Sequence, residues 1–524
     1  MRNGAKPRLD PAEVMLGERL FLETRFSQFF FARCGGDVNT NLSVGDPVLD
    51  NTLTTAQTLP GPFAGLSMNC RACHLIKEQM PLGRGIRAYA DFARRSPIPG
   101  REDGQKFTPR NAPAMVNASI PRFGETFFHL DGEFATGAEL VRETFLGRNF
   151  GWLPTEHDQA MRHLAKVIRE DDGKGQLAKE FGGYSYKTVF KSAEKTVAEN
   201  YELTEDYRID VASATDREVL DAVARMTEVY TTSLFFSRND KQEYDGSPYD
   251  TFLGKNDLPR RVAPGQEPAY YARILHSMVT NLTNTRFVSP ADNCYRLLKL
   301  DFRFNKLELE GMKIFFARNA GSSRSGIGNC VACHTPPDFT DFSFHNTGVA
   351  QEEYDSIHGK GAFRKLPVPT LAERQKNFDA FLPATPKHPK ALGVFLSIPS
   401  LEHPERTDLG LWNVFANPDK PSVQATLRQT LDPDGRVSEA QLLERTIATF
   451  KTPGLRGLAM SAPFMHNGTK DTVEGVIRFY IKASRQARAG ELRNADPELS
   501  KMFLSEDDLE PLSAFLRALN EDYE

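Results

Sequence analysis

Two five-residue stretches constrain this chain more than anything else in it: Cys70-Arg71-Ala72-Cys73-His74 and Cys330-Val331-Ala332-Cys333-His334. Both read C-x-x-C-H. Two thiols one turn apart can form thioethers to the two vinyl groups of a single porphyrin. The histidine that follows is then held beneath the iron as its axial ligand. A dithiol redox pair or half a zinc site would use the same two cysteines. Neither explains why both pairs end in histidine, or why the two motifs take four of the chain's six cysteines. The pattern therefore predicts two covalently bound haem c groups, attached at Cys70, Cys73 and Cys330, Cys333 and ligated by His74 and His334.

A chain of 524 residues is long enough for two or three domains with cores of their own. Its net charge of -4 carries no nucleic-acid footprint, and no apolar run approaches the length of a membrane span. Haem c is normally attached outside the cytoplasm, so a periplasmic protein is expected. The polar start Met1-Arg2-Asn3-Gly4-Ala5-Lys6 holds no signal peptide and reads as a chain whose leader has been removed. Cys34 and Cys294 are left over; a disulfide and two free buried thiols both remain open.

The plan looks duplicated. A helix is predicted over Pro11 to Thr24, with Leu16, Leu20 and Phe21 as its apolar stripe and Gly17-Glu18-Arg19-Leu20-Phe21 at its centre. Leu309-Glu310-Gly311-Met312-Lys313-Ile314-Phe315-Phe316 repeats that Gly-x-x-(Leu/Ile)-Phe pattern ahead of the second haem motif. Further helices are predicted over 158–170, 216–235 and 269–282. Loops run from Asp37 to Pro62 and from Leu82 to Pro109. The expected fold is mainly α: two cytochrome c-like haem domains with long loops and a helical insertion between them. Residues 1–155 would form the N-terminal haem domain and 156–303 a helical linker packing on the haem domains. Residues 304–524 would form the C-terminal haem domain. The Pro-, Lys- and Asp-rich stretch near 350–450 reads as a surface excursion of that last domain.

A set of motifs in this order resembles the bacterial diheme cytochrome c peroxidases and their MauG-type relatives. Besides the haem motifs it comprises Asn111-Ala112-Pro113, Asp131-Gly132, Ser247-Pro248-Tyr249-Asp250 and Phe344-His345-Asn346-Thr347-Gly348. Lys451-Thr452-Pro453-Gly454-Leu455-Arg456, running into Ala462-Pro463-Phe464-Met465-His466-Asn467-Gly468, completes it. The resemblance implies that the haem on His74 meets peroxide and the haem on His334 transfers electrons. In the peroxidases a methionine is the far ligand of the second haem; here that position is Tyr480, as in the MauG branch. A phenolate is a hard anionic donor and favours high-valent iron. Asp471 or Thr472 should cap a helix whose Val473, Val476, Ile477, Tyr480 and Ile481 share one face, which turns Tyr480 inward. A plain core tyrosine fits that pattern too, and Met465 and His466 compete as ligands.

No histidine occurs between His74 and His129, so the family's capping loop histidine is missing and the first iron is expected to be open without reductive activation. The family moves the peroxide proton with a glutamine and a glutamate. Aligning Leu140 with the family's leucine places Glu143 at the glutamine position, and Glu156 is the candidate for the glutamate. Glu143 equally suits a solvated helix face. Arg148 and Asn149 are candidates to line the pocket. Leu130 stands where the family has an inter-haem tryptophan, so haem-edge transfer or a tyrosine would have to serve. The resemblance further implies a calcium ion near Asn111, Ser461 and Pro463, held mainly by carbonyl oxygens.

The function so implied is a periplasmic diheme peroxidase. Hydrogen peroxide reacts at the first haem, and the His334/Tyr480 haem stores or relays the second oxidising equivalent, up to a state with both irons as Fe(IV). The electron donor would be a small cytochrome, a copper protein or a protein side chain. Two alternatives stand: a diheme electron-transfer cytochrome without peroxidase activity, and a dioxygen-using diheme oxygenase.

Overall fold

The computed structural model describes residues 10–40, 69–70, 73–74, 95–96, 98–118, 127–192, 196–293, 301–318 and 325–521. Met1 to Lys6, Cys294, most of the loop at 37–62 and half of that at 82–109 lie outside them. The described chain is mainly helical. Its sheet is one antiparallel pair, β1 (Phe344–His345) and β2 (Phe450–Lys451), with His345 opposite Phe450.

Two helix crossings organise the molecule, and each is built on a glycine. The Ala12–Phe21 helix crosses the Asp216–Ser233 helix at Gly17, where a Cβ would lie 2.2 Å from the Met226 carbonyl oxygen and 2.7 Å from Tyr230 Cβ. The Lys306–Phe316 helix crosses the Leu509–Arg517 helix at Gly311, where a Cβ would lie 1.8 Å from the Pro511 carbonyl oxygen and 2.8 Å from Phe515 Cβ. In both, the glycine meets a carbonyl and then the Cβ one turn further on. Only glycine lets two backbones approach so closely. The phenylalanine that ends each pattern then packs on the same partner residue: Phe21 edge-on to Tyr230 at 5.3 Å, Phe315 against Phe515 at 5.2 Å. The repeated sequence pattern is thus one packing device used twice.

Capping sets where these helices begin. Thr215 and Glu218 form a reciprocal capping box at the start of Asp216–Ser233, and Asn305 with Glu308 does so before Lys306–Phe316.

The segment 156–303 is divided between the two crossings. Its His157–Glu170 and Asp216–Ser233 helices join Leu16, Leu20 and Trp152 in the first core. Its Pro248–Lys255 and Pro268–Thr280 helices join Phe315, Val331 and Phe515 in the second. The first core therefore runs past 155, because the apolar face of Ala12–Phe21 has its long partner only at 216–233.

The 350–450 stretch is no surface excursion. Phe363, Leu409, Trp412, Phe415, Leu427 and Leu442 build a third core, with Trp412 wholly buried. Buried Arg374 lies over the Trp412 ring at 4.8 Å and donates to the Phe415 carbonyl at 2.6 Å. The prolines and lysines punctuate this core rather than replace it. Charge ties the 98–118 segment to the third core, where Arg110 pairs with Asp131 at 2.5 Å and Asp408 at 2.6 Å, and buried Arg456 pairs with buried Asp250 at 2.8 Å within the second core. Cys34 is buried, its thiol 3.5 Å from the Phe31 carbonyl oxygen.

Candidate haem sites

Each C-x-x-C-H motif closes as one tight turn. The Cys73 and His74 amides donate to the Cys70 carbonyl at 3.1 and 3.0 Å; those of Cys333 and His334 donate to Cys330 at 3.2 and 2.7 Å. The imidazoles are then oriented identically. His74 Nδ1 lies 2.9 Å from the Pro113 carbonyl oxygen, and His334 Nδ1 lies 3.0 Å from that of Phe339. A carbonyl only accepts, so Nδ1 carries the proton and Nε2 keeps its lone pair for a metal. Burial pushes both imidazoles below their ordinary pKa, towards the neutral form a ligand needs. Burial likewise pushes the thiols up, Cys73 to about 11 and Cys330, which also faces Cys333, to about 12. Two sulfurs packed on a core beside one neutral imidazole fit the donor set of a haem c.

Pro113 belongs to the Asn111-Ala112-Pro113 motif, which also reaches the second half of the chain. The Asn111 amide donates to the His466 carbonyl at 2.7 Å, and its side-chain amide donates to the Pro463 carbonyl. Asn111 Oδ1 is buried without a hydrogen-bond partner. An orphaned oxygen beside a carbonyl is what an oxygen-seeking cation would satisfy. Ser461 turns its hydroxyl to the Gly457 carbonyl at 3.2 Å.

Tyr480 lies on the Val473–Arg488 helix, capped by Thr472. Burial, with Cys333 and Cys330 nearby, pushes its phenol above the ordinary range, and Thr347 hydrogen-bonds it. Met465, in a left-handed turn at φ 72°, packs on the cluster of Val349 and Phe479. The His466 ring stacks on Phe450, centroids 3.6 Å apart and planes 10° apart. Burial, with Asp408 opposing, takes it down to about 3, a neutral imidazole. His345 sits between Asp341 at 2.7 Å and Asp496 at 2.5 Å, and these outweigh burial to push it up to about 12.

Glu143, on the Gly137–Phe145 helix, lies 3.7 Å from His157 Nε2. Burial raises its pKa, but His157 and the more distant Lys420 outweigh that and hold it below the carboxylate range. Glu156 is committed elsewhere. Arg101 grips both its oxygens at 2.8 Å, and it accepts the Leu153 amide at 2.9 Å. Arg148 closes the 99–105 loop through Asp103 at 2.6 Å; Asn149 is half-buried. Three further residues meet here that sequence reasoning missed or placed differently. His129 Nδ1 lies 2.9 Å from Glu133, whose other oxygen pairs with Lys420 at 2.5 Å, and His129 is close enough to lower the basicity of His74. Lys420 comes from the third core, so no local pattern could have paired it with Glu133.

No protein-family model matches the chain. It is 27% identical over 196 residues to the cytochrome-c peroxidase IdrP2 of Denitromonas iodatirespirans, covering 37% of each chain. It is 26% identical over 197 residues to IdrP2 of Pseudomonas sp. strain SCT, covering 38% of this chain and 37% of that one. The chain thus matches less than two-fifths of the length of these curated relatives. Among solved structures, the diheme peroxidase BthA of Burkholderia thailandensis aligns at a TM-score of 0.45 and 16% identity, over 99% of this chain and 88% of that one. A MauG-like protein associated with microbial copper homeostasis aligns at 0.45 and 15%, over 99% and 93%. Over the stretch that the curated relatives match, the chain is similar to cytochrome-c peroxidases. Among the described residues no helix is long and apolar enough to cross a membrane.

Proposed function

We propose that this protein is a periplasmic diheme c-type peroxidase. It reacts with hydrogen peroxide at the haem held by Cys70, Cys73 and His74. The haem held by Cys330, Cys333 and His334, with Tyr480 as its far ligand, stores or relays the second oxidising equivalent. The observation that carries this reading is the asymmetry between two otherwise matched cradles. Both histidines are oriented through Nδ1 by a carbonyl, at 2.9 and 3.0 Å, and Tyr480 stands beside the second pair of sulfurs.

When bound, the first haem supplies the iron on which the peroxide bond is cleaved. The chain's own residues handle the proton. Glu143, kept ionised by His157, accepts it from one peroxide oxygen and returns it to the other as that oxygen leaves. Lys420 neutralises Glu133, so the pocket does not stack uncompensated carboxylates. Asn111 Oδ1 and the carbonyls of Pro463 and Ser461 would hold a calcium ion between the two halves. The electron donor is a small cytochrome, a copper protein or a protein side chain.

Titrating the diferric holoprotein with hydrogen peroxide, followed by EPR and near-infrared absorption, tests the reading. One haem is expected to start high-spin, and peroxide to remove both ferric signals as a near-infrared band grows in. Two low-spin haems inert to peroxide would leave an electron carrier instead.

A further inference from the structure

Leu130 holds the place of the inter-haem tryptophan, and the chain's two tryptophans are occupied elsewhere. Trp152 is fixed in the first core by its bond to the Phe26 carbonyl at 3.0 Å, and Trp412 is buried in the third. What the fold puts between the two sites can be followed step by step. His74 Nδ1 meets the Pro113 carbonyl at 2.9 Å, and two residues back the Asn111 amide donates to the His466 carbonyl at 2.7 Å. The His466 ring lies flat on Phe450 at 3.6 Å. Phe450 is the cross-strand partner of His345, so their side chains are neighbours on one face. A His345 ring nitrogen lies within 4.8 Å of Cys333 Sγ, a sulfur of the second site. A second rung braces the strand: the Lys451 amide donates to the Leu130 carbonyl at 2.7 Å.

We propose that the His466–Phe450 ring stack is the electronic bridge between the two haem sites. The inference rests on the diheme reading above and adds the residues that couple its two halves. Tunnelling decays slowly through covalent bonds, hydrogen bonds and touching π-systems, and steeply through gaps. This ladder leaves the His466–Phe450 ring contact, the cross-strand step from Phe450 to His345 and the His345–Cys333 approach as its non-bonded steps. One electron leaves the second haem, which is oxidised by one, and reaches the first, which is reduced by one. No atom or proton crosses, and both rings end as they began. A phenylalanine and a neutral imidazole resist oxidation far better than tryptophan, so they act as a bridge and no organic radical rests on them.

The test delivers a single electron to the diferric holoprotein by pulse radiolysis, without peroxide, and follows its redistribution between the haems. Phe450→Leu and His466→Ala are expected to slow redistribution by about tenfold. Phe450→Tyr and His466→Phe, which keep ring on ring, should retain the wild-type rate. Haem content, optical spectra and both reduction potentials should not move in any of the four. Unchanged rates in F450L and H466A overturn the bridge in favour of direct haem-edge transfer. So does loss of transfer in H466F with potentials intact, since ring contact would then not be what matters. A changed haem spectrum in H466F also overturns it, by making His466 a ligand. Failure of the peroxidase reading would appear in the wild-type peroxide titration, which this measurement does not involve.

Discussion

Glu143 and His157 face each other across two helices of the first core, carboxyl to Nε2 at 3.7 Å. Each moves the other's ionisation. Pairing with Glu143 raises His157, and burial of Glu143 is outweighed by His157. Glu143 has its pKa depressed, so its contribution is present above the ordinary carboxylate range and lost as pH falls through the folded value. His157 has its pKa raised, so its contribution is full below the ordinary histidine range and lost as pH rises through the folded value. The pair is intact between those limits. The rate of peroxide reaction should therefore fall on the acid side as Glu143 protonates. Glu143→Gln should cost roughly 10²–10⁴-fold in that rate and remove the acid limb. Glu156→Gln, which breaks the Arg101 clasp, should change stability and leave that limb in place. Stopped-flow rates across pH separate the two.

The crossings at Gly17 and Gly311 make a stability prediction. A methyl group at Gly311 would fall 1.8 Å from the Pro511 carbonyl oxygen, which is backbone and cannot swing aside. Gly311→Ala and Gly17→Ala should each cost about 3 kcal/mol or more, at the upper end of overpacking. Gly100→Ala, where nothing lies within 4 Å, should stay within about 0.5 kcal/mol. Urea midpoints on the holoprotein read all three.

What could be read in the sequence was what is local. The haem turns are five residues long, and the Gly-x-x-(Leu/Ile)-Phe pattern marks its crossing because close approach leaves glycine no substitute. The helices at 157–170, 216–233 and 268–280 follow from apolar periodicity. The third core did not show itself because Phe363, Trp412 and Leu442 are separated by prolines, lysines and short helices with no sustained period. How 156–303 divides between the two crossings was hidden for a related reason, since only packing shows that 216–233 lies against 12–21. At the sites, type and position suggested Glu156 as an acid–base group, and only the fold reveals its pairing with Arg101. Glu133 and Lys420 were invisible together because they lie far apart in the sequence and only the fold brings them into contact.

Tyr480 can be tested by what a phenolate does to iron. An anionic oxygen ligand stabilises the more oxidised metal, and a thioether does the opposite. Tyr480→Met should raise the reduction potential of the second haem, by on the order of a hundred millivolts within the ~0.8 V that axial ligands span. Tyr480→Phe should leave a five-coordinate or water-ligated iron with a high-spin signal. Spectroelectrochemistry should show the first haem unmoved in both. A second haem with unchanged potential in both variants would make Tyr480 a core residue behind Met465 or another ligand.

Lys420 tests whether the third core serves the first haem site. Its ammonium pairs with Glu133 at 2.5 Å, and both side chains are mostly shielded, at 19% and 23% exposure. Burial alone would raise Glu133, but Lys420 and His129 hold it well below the carboxylate range. A depressed carboxylate contributes stability above its unfolded pKa and loses it as pH falls through the folded one. Lys420→Met should therefore cost roughly 1–3 kcal/mol at neutral pH, between the limits for exposed and buried pairs. The cost should shrink in acid, where wild type has lost the same pair. His129 would then lose a partner whose charge Lys420 had kept, and the His74 haem beside it should respond. The expected signature is a shift in the first haem's spectrum and potential with the second haem unchanged. A variant that loses stability with no change at the first haem would make the pair a structural clamp and nothing more.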